Sequence, residues 1–363
     1  MKKVALGLDI GGTKIAIGLV SEDGHIISRT EIPTTPEAGY VDAFRRIVKS
    51  SRDLIGEQNL GRKIYGIGIA CAGPVDSIKG VTIIPTNMKT WVNEPIVADF
   101  REEFGTPCFL ENDADAAAIA ENWIGAGKGT KHMVYVTAST GIGGGIIIDG
   151  NLYRGSVGMV AEVGHIIVDS GGRLCHCGGR GCVEAVASGW AMAERAKEIC
   201  DIIENGSIDG FLSIRDEFLR RFGHMKRFIT RSISSIREDG PGMLKICSES
   251  PQKITARTIF DLAEKGDVIA SFVANEAVCY LGVGLSNLLV ILAPEMIVVG
   301  GGITARWDLI HPVLMETVKH SLFSIPTLVI RLAKASLGRD VGIIGAARSL
   351  FLRAGTTNDH EFT

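Results

Sequence analysis

Short apolar runs separated by glycine-rich turns dominate the N-terminal part of the chain, and this pattern predicts strands. The runs are residues 3–9, 15–20 and 25–32. Apolar runs of this length that are bounded by glycines, here Gly11 and Gly12, are typical of strands joined in hairpins. The segment therefore predicts a meander of strands. A helix is predicted over residues 41–55, where apolar positions have helical spacing, and another strand over residues 64–70.

The second half of the chain repeats this arrangement around two further glycine turns. The predicted strands are residues 134–137, 145–148 and 296–299, and the predicted helices are residues 272–292 and 341–352. The second glycine turn is residues 139–145, and the third consists of Gly300, Gly301 and Gly302. Two similar hairpins in one chain indicate a duplicated domain, so the sequence predicts an α/β fold built from two related domains.

The predicted first domain spans residues 1–112, and the second spans residues 113–340. Residues 204–251 interrupt the pattern and predict one or two surface helices with a loop. Residues 220–237 carry six Lys or Arg and no acidic residue. A basic run of this kind indicates either a solvated helix face or a surface that binds an anion or a partner, and both interpretations stay open.

Composition and charge narrow the class of protein. A chain of 363 residues is long enough for two domains with separate cores, and a cleft between them can hold a ligand. The net charge of −3 gives no reason to expect nucleic acid as a partner. We see no uninterrupted apolar stretch of about 20 residues, the length that crosses a bilayer, and no signal peptide. Small molecules are the expected partners, and the cytoplasm is the expected location.

The first glycine turn has the residues that a phosphate site needs. Gly11 and Gly12 let backbone N–H groups approach phosphate oxygens, while Thr13 and Lys14 add a hydroxyl and a positive charge. Asp9 can hold Mg²⁺ through water. The turn is neither a Walker A loop nor a dinucleotide fingerprint, because a strand follows it instead of a helix. One such turn alone would be a tight hairpin; three of them, with an acidic residue, favour phosphate binding.

Asn112 and Asp113 follow an apolar strand and open a predicted helix over residues 114–123. An Asp at this position is commonly a helix cap or a first-turn charge. The alternative is a general base that accepts the proton of a substrate hydroxyl during phosphoryl transfer. The local sequence leaves both roles open for Asp113.

The cysteines fall into two groups. Cys175, Cys177 and Cys182 lie close together in sequence and, with His165 ten residues upstream, match the Cys₃His ligand set of a structural zinc site. His176 competes with His165 as the fourth ligand, and a buried thiol cluster without metal is the other alternative. A disulfide is less plausible in a reducing cytoplasm. The remaining cysteines are interpreted as small buried apolar residues; they are Cys71, Cys108, Cys200, Cys247 and Cys279.

Two carboxylates, Glu162 and Glu184, flank this cysteine cluster. Each can accept hydrogen bonds from sugar hydroxyls, and the alternative for each is a surface salt bridge. Metal on His165 would hold the segment rigid and give both carboxylates a fixed geometry.

These motifs together resemble the ROK family, named for repressors, open reading frames and kinases, and its glucokinase-like members in particular. The matching segments are residues 9–14, 72–76, 87–91, 111–113, 139–145, 162–165, 175–182 and 299–302. The resemblance covers residues 1–203 and 252–353. It implies an actin-like (ribonuclease H-like) ATPase fold, with two duplicated α/β domains that close on ligand across a cleft. It also implies that a last helix, at about residues 341–353, returns to the first domain.

The resemblance also implies roles for individual residues. Asp113 would be the catalytic base. The hexose would be bound by Gly73, Asn87, Asn112, Asp113, Glu162, His165 and Glu184. ATP would be held by Asp9, Gly11, Gly12, Thr13, Thr140, Gly141, Gly300, Gly301 and Gly302, with Lys14 adding charge. Structural Zn²⁺ would be bound by His165, Cys175, Cys177 and Cys182.

The expected function is therefore that of an ATP-dependent, Mg²⁺-dependent hexose kinase, with glucose as the favoured acceptor, acting as a homodimer or homotetramer. The alternatives are a kinase for N-acetylmannosamine or N-acetylglucosamine and a sugar-sensing regulator without catalysis. Val160 and Ala161 stand where the family usually has Ala-Gly, which puts a Cβ near the sugar and leaves its identity open. Asp115 stands where Asn is common, and the insert at residues 204–251 is longer than usual.

Overall fold

The fold is described from a computed structural model. It describes residues 2–58, 64–85, 87–205, 208–229, 242–322 and 330–355. By their contacts the residues form two compact units. Unit 1 contains residues 1–135, 144–161 and 335–363, and unit 2 contains residues 136–143 and 162–334. The two units are defined by contacts, whereas the predicted domains are defined by the repeated sequence pattern. The domain limits at residues 1–112 and 113–340 therefore stay a prediction.

The predicted meander forms the first three strands of a five-stranded sheet. The strands of this sheet are β1 (Val4–Ile10), β2 (Lys14–Ser21), β3 (Ile26–Pro33), β4 (Gly66–Cys71) and β7 (Cys108–Asn112). They lie in the order β3-β2-β1-β4-β7. β1 pairs antiparallel with β2 and parallel with β4, and β4 pairs parallel with β7. A small separate hairpin consists of β5 (Val75–Asp76) and β6 (Val81–Thr82).

A second sheet repeats this topology. Its strands are β8 (Met133–Ala138), β9 (Ile142–Ile148), β10 (Asn151–Leu152), β11 (Met296–Gly300) and β12 (Leu332–Lys334). They lie in the order β10-β9-β8-β11-β12. In each sheet the third, second, first, fourth and fifth strands in chain order are thus neighbours. The shared order confirms the prediction of a duplicated α/β fold.

Helices cover the sheets and supply most of the remaining structure. In unit 1 they are α1 (Tyr40–Glu57), α2 (Ile96–Phe104), α3 (Asp113–Trp123) and, at the C-terminal end, α12 (Val341–Ala354). In unit 2 they are α4 (Val183–Ala187), α5 (Gly189–Glu204), α6 (Ile208–Arg221), α7 (Lys226–Ile229), α8 (Gly242–Glu249), α9 (Ala256–Glu264), α10 (Val268–Leu292) and α11 (Trp307–Ser321). α12 packs on β1, β4 and α3.

The most apolar helix, α10, is long and apolar enough by composition to cross a bilayer. Its most apolar window is 78% buried inside the protein. Burial of this extent is expected of a core helix, because a helix that crosses a bilayer presents much of its apolar surface to lipid.

The insert differs from the surface helices that we predicted. Phe211 and Phe218 of α6 are buried against Phe272 of α10 with edge-to-face ring contacts, so the insert forms part of the unit 2 core. The basic residues dominate the sequence of the insert and conceal the apolar positions that α6 buries. The basic residues of the described part of the predicted run are exposed; they are Arg220, Arg221, Lys226 and Arg227. Positions 230–241 of the predicted basic run and loop lie outside the described residues.

Two cysteines also differ from their predicted role. Cys200 of α5 and Cys247 of α8 form a disulfide instead of remaining separate apolar residues. The other three predicted apolar cysteines, Cys71, Cys108 and Cys279, are free and buried. The separation of 47 residues between Cys200 and Cys247 gives no sign of the disulfide, which depends on α8 packing beside α5.

The contact between α12 and the first sheet generates a prediction for stability. A Cβ on Gly68 of β4 would lie 1.8 Å from the carbonyl oxygen of Ala346 in α12. We expect Gly68→Ala to lower the free energy of unfolding by about 1–3 kcal/mol or more, the usual cost of overpacking a core. Urea denaturation followed by circular dichroism measures the change.

Gly56 provides the matched control, because a Cβ there meets nothing within 4 Å. Gly56 lies in α1, so Gly56→Ala should keep or slightly raise the free energy of unfolding, by up to about 1 kcal/mol. Equal stability of Gly68→Ala and the wild type would contradict the close contact.

Candidate active site and metal centre

The carboxyl ends of the parallel strands bring the first group of predicted site residues together in unit 1. Ile10 of β1 is in register with Cys71 of β4, and Cys71 is in register with Asn112 of β7. Segments that leave these strand ends start at the same edge of the sheet. Asp9, the first glycine turn, Gly73 and Asp113 therefore lie at one edge.

Two carboxylates meet at this edge. Burial and, to a smaller extent, the neighbouring Asp113 carboxylate together raise the pKa of Asp9 to about 7, against the opposing effect of Lys14. α12 begins against the same carboxyl, since a Cβ on Gly342 would lie 2.3 Å from its Cγ. The site thus holds Asp9 in a crowded, negatively charged place, where a bound cation would be favourable.

The first glycine turn closes tightly and contacts Asn87. The Gly11 N–H donates to the Lys14 carbonyl at 3.0 Å, and a Cβ on Gly12 would lie 2.4 Å from the Asn87 Cβ. Thr13 and Lys14 are exposed, and Lys14 forms an ion pair with Glu31 at 3.0 Å. The structure therefore brings the predicted phosphate turn together with Asn87, one of the predicted hexose residues.

Asn112 is the helix cap at the start of α3. Its Oδ1 accepts the Ala114 N–H at 2.9 Å, and a Cβ on Gly73 would lie 2.6 Å from its Nδ2. Asp113 is the first residue of the helix, and its exposed carboxylate also accepts the Ala114 N–H at 2.8 Å. The capping position belongs to Asn112, so Asp113 carries a first-turn charge on an accessible side chain.

A buried carboxylate behind this edge was part of the matched motif but was given no role. Glu111 is fully buried and accepts two hydrogen bonds from Arg154, at 2.9 and 2.6 Å. Ser349 and Arg353 of α12 also donate to it, at 2.6 and 3.2 Å. An acidic residue in an otherwise apolar strand is the signal that was available in the sequence, but nothing pointed to its partners.

The other two glycine turns lie together in unit 2. A Cβ on Gly301, which has φ 86°, would lie 2.2 Å from the Ala138 carbonyl oxygen at the end of β8. A Cβ on Gly302 would lie 3.7 Å from the Ser139 Oγ. We take residues 139–142 as the second turn, ending at Ile142, the first residue of β9. We call this segment the nucleotide turn because ATP residues are predicted there. It contains Thr140 and Gly141, two of the predicted ATP residues.

The predicted zinc ligands converge on one point in unit 2. One ligand atom from each of His165, Cys175, Cys177 and Cys182 lies within 4.8 Å of the others. The Cys177 and Cys182 sulfurs are 3.8 Å apart, as are the Cys175 sulfur and His165 Nδ1. Tetrahedral zinc with Zn–S bonds of about 2.3 Å places sulfurs about 3.8 Å apart, so the spacing fits the metal.

The three thiols of the cluster titrate differently, and the Gly179 N–H lowers the pKa of Cys177. Burial raises the pKa of Cys175 and raises that of Cys182 to about 12, so neither forms a thiolate readily by itself. Because the thiolate is the ligand, binding depends on the positive charge of the metal. His176 stacks on Trp190 with ring centroids 4.0 Å apart and is not one of the four clustered residues, which favours His165 as the nitrogen ligand.

Glu162 and Glu184 lie on either side of this cluster in different environments. Glu162 is exposed, directly before the short 3₁₀ turn that carries His165. Glu184 is half-buried in α4, and its Oε2 accepts the Ile142 N–H at 2.9 Å. The carboxylate of Glu184 is therefore bound to the nucleotide turn, a contact that the sequence did not indicate. Ala161, before Glu162, has φ 58°, a left-handed conformation that favours glycine.

Comparisons with known proteins show the family to which the chain belongs. A model of the ROK family matches residues 5–353. A glucokinase of Thermotoga maritima is 33% identical over 350 residues, which are 96% of this chain and 98% of that protein.

Two solved structures cover nearly the whole fold. A ROK hexokinase from Thermus thermophilus has TM-score 0.74 and 29% identity, covering 98% of this chain and 100% of that chain. A ROK family glucokinase from Streptomyces griseus in complex with glucose and AMPPNP has TM-score 0.69 and 30% identity, covering 95% of this chain and 98% of that chain. These matches confirm the predicted actin-like ATPase fold.

The raised pKa of Asp9 generates a prediction for pH dependence. A carboxyl whose pKa is higher in the folded chain binds its proton more tightly when folded, so the stability it contributes is lost as pH rises through that pKa. As the pH rises from 3.8, the ordinary pKa of the carboxyl, to about 7, the wild type should therefore lose free energy of unfolding relative to Asp9→Asn. Urea denaturation across this pH range, without Mg²⁺ or nucleotide, measures the difference.

The control is Asp149→Asn, which changes an exposed carboxylate at a hairpin turn. Its stability relative to the wild type should not follow pH in this way. A constant difference between Asp9→Asn and the wild type would contradict the burial of a titrating Asp9 carboxyl.

Proposed function

The chain belongs to the ROK family, and from this premise we propose that it is an ATP-dependent glucokinase that forms glucose 6-phosphate. The observation that carries the proposal is its 33% identity to a glucokinase over 96% of the chain. The glucokinase structure with glucose and AMPPNP supports the same substrates.

Asp113 acts as the general base in the proposed reaction. Its exposed carboxylate accepts the proton of the glucose 6-hydroxyl as that oxygen attacks the γ-phosphorus of ATP. A new P–O bond forms to the sugar, the bond between the γ-phosphorus and the β–γ bridging oxygen breaks, and ADP leaves with that oxygen. Asn112 caps α3 and thereby fixes the start of the helix that presents Asp113.

The glycine turns bind ATP in this proposal. Backbone N–H groups at Gly11, Gly12 and Gly141 approach phosphate oxygens, with Thr13 and Thr140 as hydroxyl donors. Lys14 contributes positive charge, and Gly300, Gly301 and Gly302 complete the binding residues. Mg²⁺ that accompanies ATP neutralises charge on the phosphates. Asp9 is the residue that would hold it through water, and its crowded carboxyl fits that role.

The hexose is bound in this proposal by the residues that the family resemblance implies, which are Gly73, Asn87, Asn112, Asp113, Glu162, His165 and Glu184. Carboxylates and amides of this kind accept and donate hydrogen bonds to several hydroxyls. His165 has two ring nitrogens, one for the metal and one for a sugar hydroxyl.

Zinc has a structural role in this proposal. Cys175, Cys177, Cys182 and His165 form a closed ligand set that leaves no position for a reacting group. The proposed location is the cytoplasm. The proposed assembly, a homodimer or homotetramer, rests on the family resemblance. The proposal of no nucleic-acid partner rests on the net charge of −3, and that of no membrane partner rests on the lack of an uninterrupted apolar stretch of about 20 residues.

The role of Asp113 generates a prediction for catalysis. Asp113→Asn should lower kcat by about 10²–10⁴-fold, because the amide cannot accept the proton, while the hexose dissociation constant changes little. Coupled ADP-release assays measure turnover, and calorimetry measures hexose binding. Asp42→Asn is the matched control, since Asp42 is also an exposed first-turn residue of a helix, α1.

The same assays, run on glucose, mannose, fructose, allose, N-acetylglucosamine and N-acetylmannosamine, test the substrate. Turnover of glucose that depends on Asp113 supports the proposal. A preference for an N-acetylated sugar would make the chain a kinase of that sugar, and binding of sugars without any turnover would indicate a sensor. Near wild-type turnover by Asp113→Asn would show that another residue is the base.

The metal centre generates a further prediction. The wild type should contain one zinc per chain, and Cys177→Ser should lose it and weaken glucose binding, because the segment that carries His165 and Glu184 loses its fixed geometry. Plasma mass spectrometry measures zinc, and calorimetry measures binding. Cys279→Ala, a buried cysteine outside the cluster, should keep the metal. Wild-type protein without zinc would rule out the centre.

A further inference from the structure

The first observation concerns Glu184, which follows the zinc ligand Cys182 by two residues and lies in the first turn of α4. Its Oε2 accepts the Ile142 N–H at 2.9 Å, and a Cβ on Gly141 would lie 2.7 Å from the same oxygen. The carboxylate therefore packs directly on the nucleotide turn. A residue fixed by the zinc ligand Cys182 thus holds a backbone amide of the turn.

The second observation concerns Gly164, the residue before the zinc ligand His165. A Cβ on Gly164 would lie 2.2 Å from the Ile142 carbonyl oxygen. Backbone approaches backbone at this point without a side chain between them. Gly164, directly before the nitrogen ligand His165, thus makes a second contact with Ile142 of the nucleotide turn.

The third observation concerns the start of α5. The Gly189 N–H donates to the Ser139 carbonyl at 2.8 Å, and the Trp190 N–H donates to the Thr140 carbonyl at 3.4 Å. The Trp190 ring stacks on His176, which lies between the ligands Cys175 and Cys177, with centroids 4.0 Å apart. The other end of the nucleotide turn is thus held by a helix start that packs on the cysteine cluster.

We propose that the zinc centre positions the nucleotide turn, through Glu184, Gly164 and the start of α5, so that zinc supports ATP binding as well as hexose binding. The inference rests on the proposed function, because it takes residues 139–142 to be a nucleotide site. All of these contacts lie within unit 2. Glu184 is two residues from the ligand Cys182, Gly164 is next to the ligand His165, and Trp190 at the start of α5 packs on the cysteine cluster. Loss of the metal would therefore loosen all three contacts together.

The role of Glu184 in this arrangement is that of a positioning residue for the nucleotide. Its Oε2 holds the turn, which leaves Oε1 to receive a hexose hydroxyl. One carboxylate then links the two substrates, and binding of either should favour the geometry needed by the other.

The test measures the dissociation constant of AMPPNP by calorimetry, without hexose and without turnover. Removing zinc from the wild type with a chelator should weaken AMPPNP binding by about tenfold or more, and restoring zinc should recover it. Glu184→Ala should weaken binding by about 10–150-fold, the effect of losing a hydrogen bond to a charged group. Glu184→Gln keeps an oxygen acceptor for Ile142 N–H and should stay within about threefold of the wild type.

Two glycine variants separate this role from general damage to the fold. Gly164→Ala should keep zinc, because a glycine that is not a ligand is changed, yet weaken AMPPNP binding by displacing Ile142. Gly171→Ala lies between the ligands His165 and Cys175 and meets nothing within 4 Å, so it should change neither property. Glu194→Ala, an exposed acidic residue of α5, is the control for Glu184→Ala.

Each result decides the inference. AMPPNP affinity that falls on zinc removal and in Glu184→Ala, with recovery in Glu184→Gln, supports it. Unchanged AMPPNP affinity after zinc removal, with weakened glucose binding, would overturn this inference and leave the proposed function standing. A wild type that does not bind AMPPNP at all would overturn both.

Discussion

Direct contact of backbone with backbone, made possible by glycine, is the constraint on which the rest of this structure depends. α12 approaches the first sheet so closely that a Cβ on Gly68 would lie 1.8 Å from the Ala346 carbonyl oxygen, and one on Gly7 would lie 2.4 Å from that of Ile343. Because interiors are packed as densely as crystals, no side chain fits there. The same helix begins against the Asp9 carboxyl, so its packing also shapes the site.

Unit 2 uses the same device around the nucleotide turn. Gly164, Gly189 and Gly301 each place their backbone where a Cβ would lie 2.2–2.8 Å from a carbonyl oxygen of residues 138–142. The turn is therefore held by neighbouring backbone together with the Glu184 carboxylate. Such support suits a phosphate site, which needs backbone N–H groups in fixed positions.

Buried charges complete the positioning in unit 1. Glu111 is fully buried and bonded to Arg154, Ser349 and Arg353, next to Asn112 and Asp113 in sequence. Removing one partner of a buried pair typically costs about 3–5 kcal/mol, because the other charge is left without compensation. The network therefore joins the strand end that precedes Asp113 firmly to α12.

The sequence by itself determined the three meander strands, the helices α1, α3, α10 and α12, the duplication and the four clustered metal ligands, because apolar period, glycine turns and ligand spacing are local patterns. Only the tertiary structure decided the partners of Glu111, the burial of the insert's Phe211, the Cys200–Cys247 disulfide and the contact of Glu184 with the nucleotide turn. These depend on segments that are distant in the chain, and a sequence carries no local signal for which distant backbone will approach.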